Sequence, residues 1–185
     1  SWAYAPKIEK ALCIGMGMGI VPMRFAGEGI KVDVVEINPA VPAVAGKYFD
    51  FDAGRFNLVI GDGRYFINGA GTQKYDVVVL DAFLGDSIPS HLFTKEAFSA
   101  IKRLLKPEGV LVINSFGSFE KDRDFAVASL EKTLRDGARF RSVKVHAQGD
   151  GNVFYVASGQ ASLQIMREPV FEEVHPSCRN RVQSL

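Results

Sequence analysis

Cysteine is scarce. The 185 residues hold two, Cys13 and Cys178, and they lie far apart in the chain. That excludes a disulfide framework and a metal-ligand spacing, and it points to a reducing compartment, the cytoplasm. No apolar run approaches the roughly 20 residues that cross a bilayer, so direct membrane insertion is not expected. The opening "SWAYAPKIEK" lacks the apolar centre of a signal peptide. Neither charge dominates: 22 Lys and Arg face 21 Asp and Glu, a net charge of +1, which gives no electrostatic case for nucleic acid. What remains is an ordinary globular composition, 47% hydrophobic and 23% charged, over a length that suits one domain with a real core.

Apolar runs alternate with helical patterns along that length. "KALCIG", "KVDVVEIN", "RFNLVIGDG", "YDVVVLDAF" and "GVLVINSF" each read as a strand bounded by turn residues. Their continuous Val, Ile and Leu content fits parallel strands covered on both faces. A helix is predicted over 94–106: Thr94 caps it, Glu96 sits in its first turn, and Lys102, Arg103 and Lys106 fill the last. A second is predicted over 122–135, with Val127, Leu130 and Leu134 inward. "RFRSVKVHA", the turn "QGDGN" and "VFYVAS" read as an antiparallel hairpin. The expected fold is α/β, a doubly wound and mainly parallel sheet of seven strands closed by that hairpin. Residues 1–160 form the expected nucleoside-cofactor-binding domain, and 161–185 a tail or short helix packed on it.

In an open α/β sheet, ligands bind beyond the carboxyl ends of the strands. Those ends carry, in order, Gly15-Met16-Gly17-Met18-Gly19, then Glu36-Ile37, then Gly61-Asp62-Gly63, then Asp81. The dinucleotide fingerprint requires G-x-G-x-x-G. Here the sixth position is Ile20, and the third glycine comes one residue early. Glu36 is placed to accept from two ribose hydroxyls, which suits either cofactor type. Asp62 and Asp81 discriminate better. A nicotinamide dinucleotide carries two phosphates and gains nothing from a ring of carboxylates. Asp62 can accept from an adenine amino group, and Asp81 can pair with an ammonium or face a positive sulfur. The constellation fits a cationic nucleoside without phosphate, such as S-adenosylmethionine or its decarboxylated form. No His/Cys cluster accompanies the acids, so no metal is expected.

With these residues in view, the chain resembles the spermidine synthase family, aminopropyltransferases with a class I methyltransferase-like Rossmann fold. "VVEIN", "LVIGDGRYF", "YDVVVLDA" and "HLFTKEAFSAIKRLLKPEGVLVIN" carry the likeness, in order, across about residues 10–158. The resemblance implies that Glu36 binds the ribose and Asp62 the adenine amine. It also implies that Gly15, Gly17 and Gly19 approach the amino-acid end of the cofactor, with Ile37, Gly61, Gly63 and Asp81 beside them. The departures are equally definite. The family's glycine-loop aspartate, which anchors the aminopropyl ammonium, corresponds to Met18, and its proton-accepting aspartate to Leu84. The family's N-terminal β-rich domain corresponds to nothing in residues 1–9, so a divergent branch is expected, with aminopropyl or methyl transfer as the chemistry.

Transfer to an amine needs the amine neutral, and an alkyl ammonium titrates near ~10.4. A carboxylate beside it can take the proton. The catalytic candidates are therefore Asp81 and Asp86, with His91 as a further base that competes with its ordinary reading as a packing histidine. The expected partner is a small-molecule acceptor, a polyamine being the candidate, and a homodimer is an open possibility. The competing classes are a catalytically silent adenosine-binding domain of a larger assembly and, against the evidence of Ile20 and the acids, a dinucleotide oxidoreductase. Cys13 is expected buried. Met16 and Met18 are expected to pack the loop, and Tyr4 to pack on the core or, with Trp2, to cover the pocket.

Overall fold

The computed structural model describes residues 3–5, 7–83, 87–117, 124–147 and 151–167. The five apolar runs form β1 (Lys10–Ile14), β2 (Lys31–Glu36), β3 (Asn57–Ile60), β4 (Tyr75–Leu80) and β5 (Leu105–Gly117), and the hairpin forms β6 (Ser142–Ala147) and β7 (Gly151–Ser158). They assemble into one seven-stranded sheet in the order β3-β2-β1-β4-β5-β7-β6. The first five strands pair in parallel, while β7 runs antiparallel to both β5 and β6. The sequence-based fold class holds. The strand order reverses between β1 and β4, which places the switch point beside the glycine loop.

Both faces of the sheet are covered, which is why the strands read as unbroken apolar runs. Successive residues of a strand point to opposite faces. Leu12, Ile14, Val78 and Leu80 join one core cluster with Phe98, Ile101, Leu104 and Leu134, while Ala11, Cys13, Val77 and Val79 join a second with Phe25, Ala45 and Phe51. The helices over these faces are α1 (Ile20–Gly27), α2 (Val41–Phe49), α3 (Gly63–Gly69), α4 (Lys95–Leu104) and α5 (Phe125–Lys132).

Thr94 caps α4 as expected, its hydroxyl accepting from the Ala97 N–H at 3.1 Å. The helix ends at Leu104, two residues short of the sequence reading, because Leu105 pairs with Tyr75 and starts β5. Lys106 accordingly leaves the helix terminus and lies 2.8 Å from Asp76. The second predicted helix is α5, continued by a wider turn over Thr133–Gly137; Val127 and Leu134 are buried as expected, and residues 122 and 123 lie outside the description. Of the expected tail, 161–167 is described and contains no helix, Leu163 enters the second core cluster, and 168–185, with Cys178, is outside the described residues. The Met166 N–H donates to the Ala3 carbonyl at 2.7 Å, so this segment runs beside the start of the described chain. Tyr4 packs in the core rather than over the pocket, its hydroxyl 3.0 Å from His146 Nε2; Trp2 is outside the described residues. No helix among the described residues is long and apolar enough to cross a membrane.

Candidate functional site

Three backbone hydrogen bonds carry the sheet ladder past the strand ends and fix the loops there: Gly15 N–H to Val35 O at 2.8 Å, Gly61 N–H to Glu36 O at 2.9 Å, and Asp81 N–H to Ile14 O at 2.9 Å. Beyond them opens a cavity of about 490 Å³. Gly15, Gly17, Glu36, Ile37, Gly61, Asp62, Gly63 and Asp81 all border it. The strand-end rule therefore brought together eight of the nine residues expected to bind cofactor. Gly19 is the ninth and stands apart. It takes φ 82° at the start of α1, where an added Cβ would lie 2.4 Å from the Phe51 ring. That conformation lets the loop enter the helix against Phe51. Met16 lines the cavity and is buried, while Met18 is half-exposed and does not. Asp86 and Leu84 lie outside the described residues.

Gly15 must be glycine on two counts. Its φ is 84°, and a Cβ there would sit 2.2 Å from the Asp81 carbonyl oxygen. The loop thus lies directly on the end of β4. Around Gly17, by contrast, a Cβ would meet nothing within 4 Å, which leaves backbone open to a ligand.

Glu36 closes β2 and is 8% exposed. Its Oε2 accepts from the Met16 N–H at 3.1 Å and its Oε1 from the Asn38 N–H at 2.9 Å. Each oxygen keeps a lone pair for a ligand. Asp62 caps α3: its Oδ1 accepts from the Arg64 and Tyr65 N–H groups at 2.7 and 3.0 Å. Its Oδ2 is 2.9 Å from His91 Nε2. Burial acts to raise the Asp62 pKa, but the Tyr65 N–H, His91 and the Arg64 N–H outweigh it and hold the carboxyl below its usual range. Asp81 Oδ1 accepts from Asn114 Nδ2 at 2.9 Å. Cys13 lies beneath the loop, where burial, aided by Asp81, pushes its thiol up to about 12, so it is no nucleophile.

Asn38, Pro89, Leu92 and Asn114 also line the cavity and were not singled out from sequence. For Asn114 a signal existed: it lies towards the carboxyl end of β5, the one parallel strand to which the strand-end rule was not applied. Its Oδ1 is buried without a partner among the described residues. His91, the further base candidate, does border the cavity. Among the described residues no group of three or more His, Cys, Asp or Glu is arranged to hold a metal.

The acceptors lining the cavity suit an adenosine-type ligand bearing a sulfonium. The acceptor pair of Glu36 matches a ribose diol, Ile37, Pro89 and Leu92 offer apolar faces, and Asp81 offers a charge opposite to that of sulfur. Comparison with known proteins shows what the chain is similar to. The family model for the spermine/spermidine synthase domain matches residues 5–161. A polyamine aminopropyltransferase of Vibrio vulnificus (strain CMCP6) is 43% identical over 120 residues, 62% of this chain and 40% of that protein. An N-terminal histidine N-methyltransferase of Emericella nidulans is 39% identical over 113 residues, 59% of this chain and 20% of that protein. Putrescine N-methyltransferase 2 of Nicotiana tabacum is 33% identical over 113 residues, 57% of this chain and 32% of that protein. The chain thus spans 40% or less of each of these relatives. In fold it is similar to human methyltransferase-like protein 13, solved with SAH (24% identity, 88% of this chain and 77% of that one, TM-score 0.71), and to a spermidine synthase solved with the transition-state analogue AdoDATO (22% identity, 86% and 58%, TM-score 0.70).

Proposed function

The chain belongs to the spermine/spermidine synthase family, and on that premise we propose that it is a spermidine synthase-like transferase domain. It binds S-adenosylmethionine or its decarboxylated form and transfers an aminopropyl or methyl group to a small amine. One observation carries this reading: Glu36, Asp62 and Asp81 border the same cavity as the open backbone at Gly17. In this reading Glu36 takes the ribose hydroxyls, Asp62 the adenine amino group, and Asp81 the charged end of the cofactor or the acceptor nitrogen. In this reading residues 1–160 are the cofactor domain, and Leu163 of the expected tail packs on it. The buried free Cys13 agrees with a cytoplasmic setting.

The sulfonium supplies an electrophilic carbon and a thioether leaving group. The neutral acceptor nitrogen attacks that carbon, the C–S bond breaks with its electron pair passing to sulfur, and the nitrogen then sheds one proton. The protein's part is to hold the two reactants in line, offer Asp81 for the proton and exclude water. Asp86 is a second candidate for the proton. Met18 and Leu84 stand where the family resemblance implies aspartates for the aminopropyl ammonium and the acceptor proton. That weakens aminopropyl transfer and leaves methyl transfer, a chemistry that two of the relatives carry in their names, as the other half of this reading.

Calorimetric titration with S-adenosylmethionine, its decarboxylated form, 5′-methylthioadenosine and NAD tests the proposal. Binding of an adenosine sulfonium in preference to NAD is expected. Preference for NAD, or no binding of any of the four, overturns it. Binding without turnover on putrescine or other amines leaves a silent adenosine-binding domain.

A further inference from the structure

Asp62 joins three parts of the site through one carboxylate. Oδ1 is committed to the α3 cap. Oδ2 meets the His91 ring, which is carried on a single helical turn, Ser90–Leu92. That turn is itself anchored on α3 and closed by its own backbone. Arg64 Nη1 donates to the His91 carbonyl at 3.1 Å and to Thr94 Oγ1 at 3.0 Å, tying it to α3 and to the α4 cap. The buried Leu92 packs 3.6 Å from the position of a Cβ on Gly63. The Leu92 N–H closes the turn on the Pro89 carbonyl at 2.9 Å. An isolated, half-exposed His–Asp pair would contribute little. This pair differs because both backbones are fixed independently of it.

A carboxylate only accepts, so the contact requires hydrogen on Nε2. In the neutral ring Nδ1 then carries the lone pair; in the protonated ring Nε2 still donates. The contact therefore persists in both forms, and Oδ2 retains one lone pair beside a cavity that Asp62, His91, Pro89 and Leu92 all line.

We propose that His91 is a positioning residue that sets purine specificity. By donating to Asp62 Oδ2 it fixes the carboxylate so that the remaining lone pair accepts an exocyclic N–H, and the cavity selects 6-aminopurine over 6-oxopurine ligands. This rests on the adenosine-binding reading above. A 6-oxo group would set oxygen against the carboxylate lone pair; the cap holds Oδ1, so without His91 it is Oδ2 that can tilt about that fixed oxygen and ease the repulsion. Removing His91 therefore lowers discrimination rather than binding in general.

The test titrates the full chain with 5′-methylthioadenosine and 5′-methylthioinosine. The wild-type protein is expected to prefer the adenosine form at least about tenfold. His91→Ala is expected to lower that ratio about 3- to 10-fold, and His91→Gln, whose amide can donate, to restore most of it. Glu36→Gln should weaken both ligands alike. ¹⁵N NMR of the histidine ring gives a second readout independent of any variant: Nε2 carries hydrogen in the free protein, and 5′-methylthioadenosine shifts it while 5′-methylthioinosine does not. An unchanged ratio in folded His91→Ala overturns the proposal, as does an Nε2 signal indifferent to both ligands. Equal wild-type affinity for the two ligands overturns it while leaving the cofactor reading intact. Binding of neither overturns the cofactor reading itself.

Discussion

Truncating Glu36 should damage the protein in two separable ways. The side chain is almost fully buried at the end of β2 and holds two backbone N–H groups, those of Met16 and Asn38. In Glu36→Ala the Met16 N–H, inside the loop, is left without an acceptor, which costs about 1–3 kcal/mol. The Asn38 N–H lies in an exposed residue and turns to water, so its loss adds only ~0.5–1 kcal/mol. The sum is roughly 1.5–4 kcal/mol of stability, and at ~2–4 °C per kcal/mol for a chain of this size the melting temperature should fall by about 3–16 °C. Binding of 5′-methylthioadenosine should weaken by a further ~1–3 kcal/mol for the lost charged hydrogen bonds, about 5- to 150-fold. Glu36→Gln keeps one acceptor oxygen and turns an amide N–H₂ towards the other N–H. It should show a smaller melting shift and still lose affinity. Differential scanning fluorimetry and calorimetry on the same samples read the two effects. If Glu36→Ala melts low but binds 5′-methylthioadenosine within twofold of wild type, the residue is a loop clamp and the ribose assignment falls. If the melting temperature does not move, the clamp itself is wrong.

Gly15→Ala forces an L-residue to φ 84° and drives Cβ to 2.2 Å from the Asp81 carbonyl, so it should cost at least ~2–3 kcal/mol by urea melt, and a loss under ~1 kcal/mol would refute the close approach. Asp33 is buried against Tyr75 Oη at 2.6 Å, Lys10 Nζ at 3.0 Å and Asn57 Nδ2 at 3.2 Å. Burial acts to raise its pKa, but these partners outweigh it and hold it below the usual value. Its contribution is therefore fully present above the unfolded value near ~3.9 and is lost as pH falls through the lower folded value, so Asp33→Asn should flatten the acid limb of the urea-midpoint profile below pH ~4; parallel limbs refute this. With putrescine and decarboxylated S-adenosylmethionine the chain should turn over well below the usual ~1–10³ s⁻¹, because Leu84 replaces the expected proton acceptor, and spermidine formation within that range refutes it. EDTA should leave 5′-methylthioadenosine affinity unchanged within about twofold, and a larger loss would reveal a metal in the site.

The strands and their parallel order were legible because a sheet covered on both faces leaves no polar alternation to confuse the reading, as in "YDVVVL". The acids at strand ends were legible for a related reason: Glu36 and Asp81 directly follow or close apolar runs, where a charge has no place unless the chain leaves the core there. Other features depend on contacts between distant residues. Lys106 looked like a helix C-terminal cation, but pairing of Leu105 with Tyr75 and the pull of Asp76 drew it into β5. That Gly19 lies against Phe51 likewise depends on a residue 32 positions away. Nothing local to Asp62 reveals that its second oxygen meets a ring 29 residues on. Asn114 was hidden for the opposite reason: a single amide inside "VLVINSF" reads as a blemish in an apolar strand.

The backbone contact between Ala3 and Met166 makes the fold a closed ring in connectivity. Residues 3 and 166 therefore lie side by side, although 163 positions separate them in the chain. Two modules tethered there by short flexible linkers would face each other at millimolar effective concentration, whatever their intrinsic affinity. The same neighbourhood suits the described domain to insertion into a loop of a host protein through residues 3 and 166.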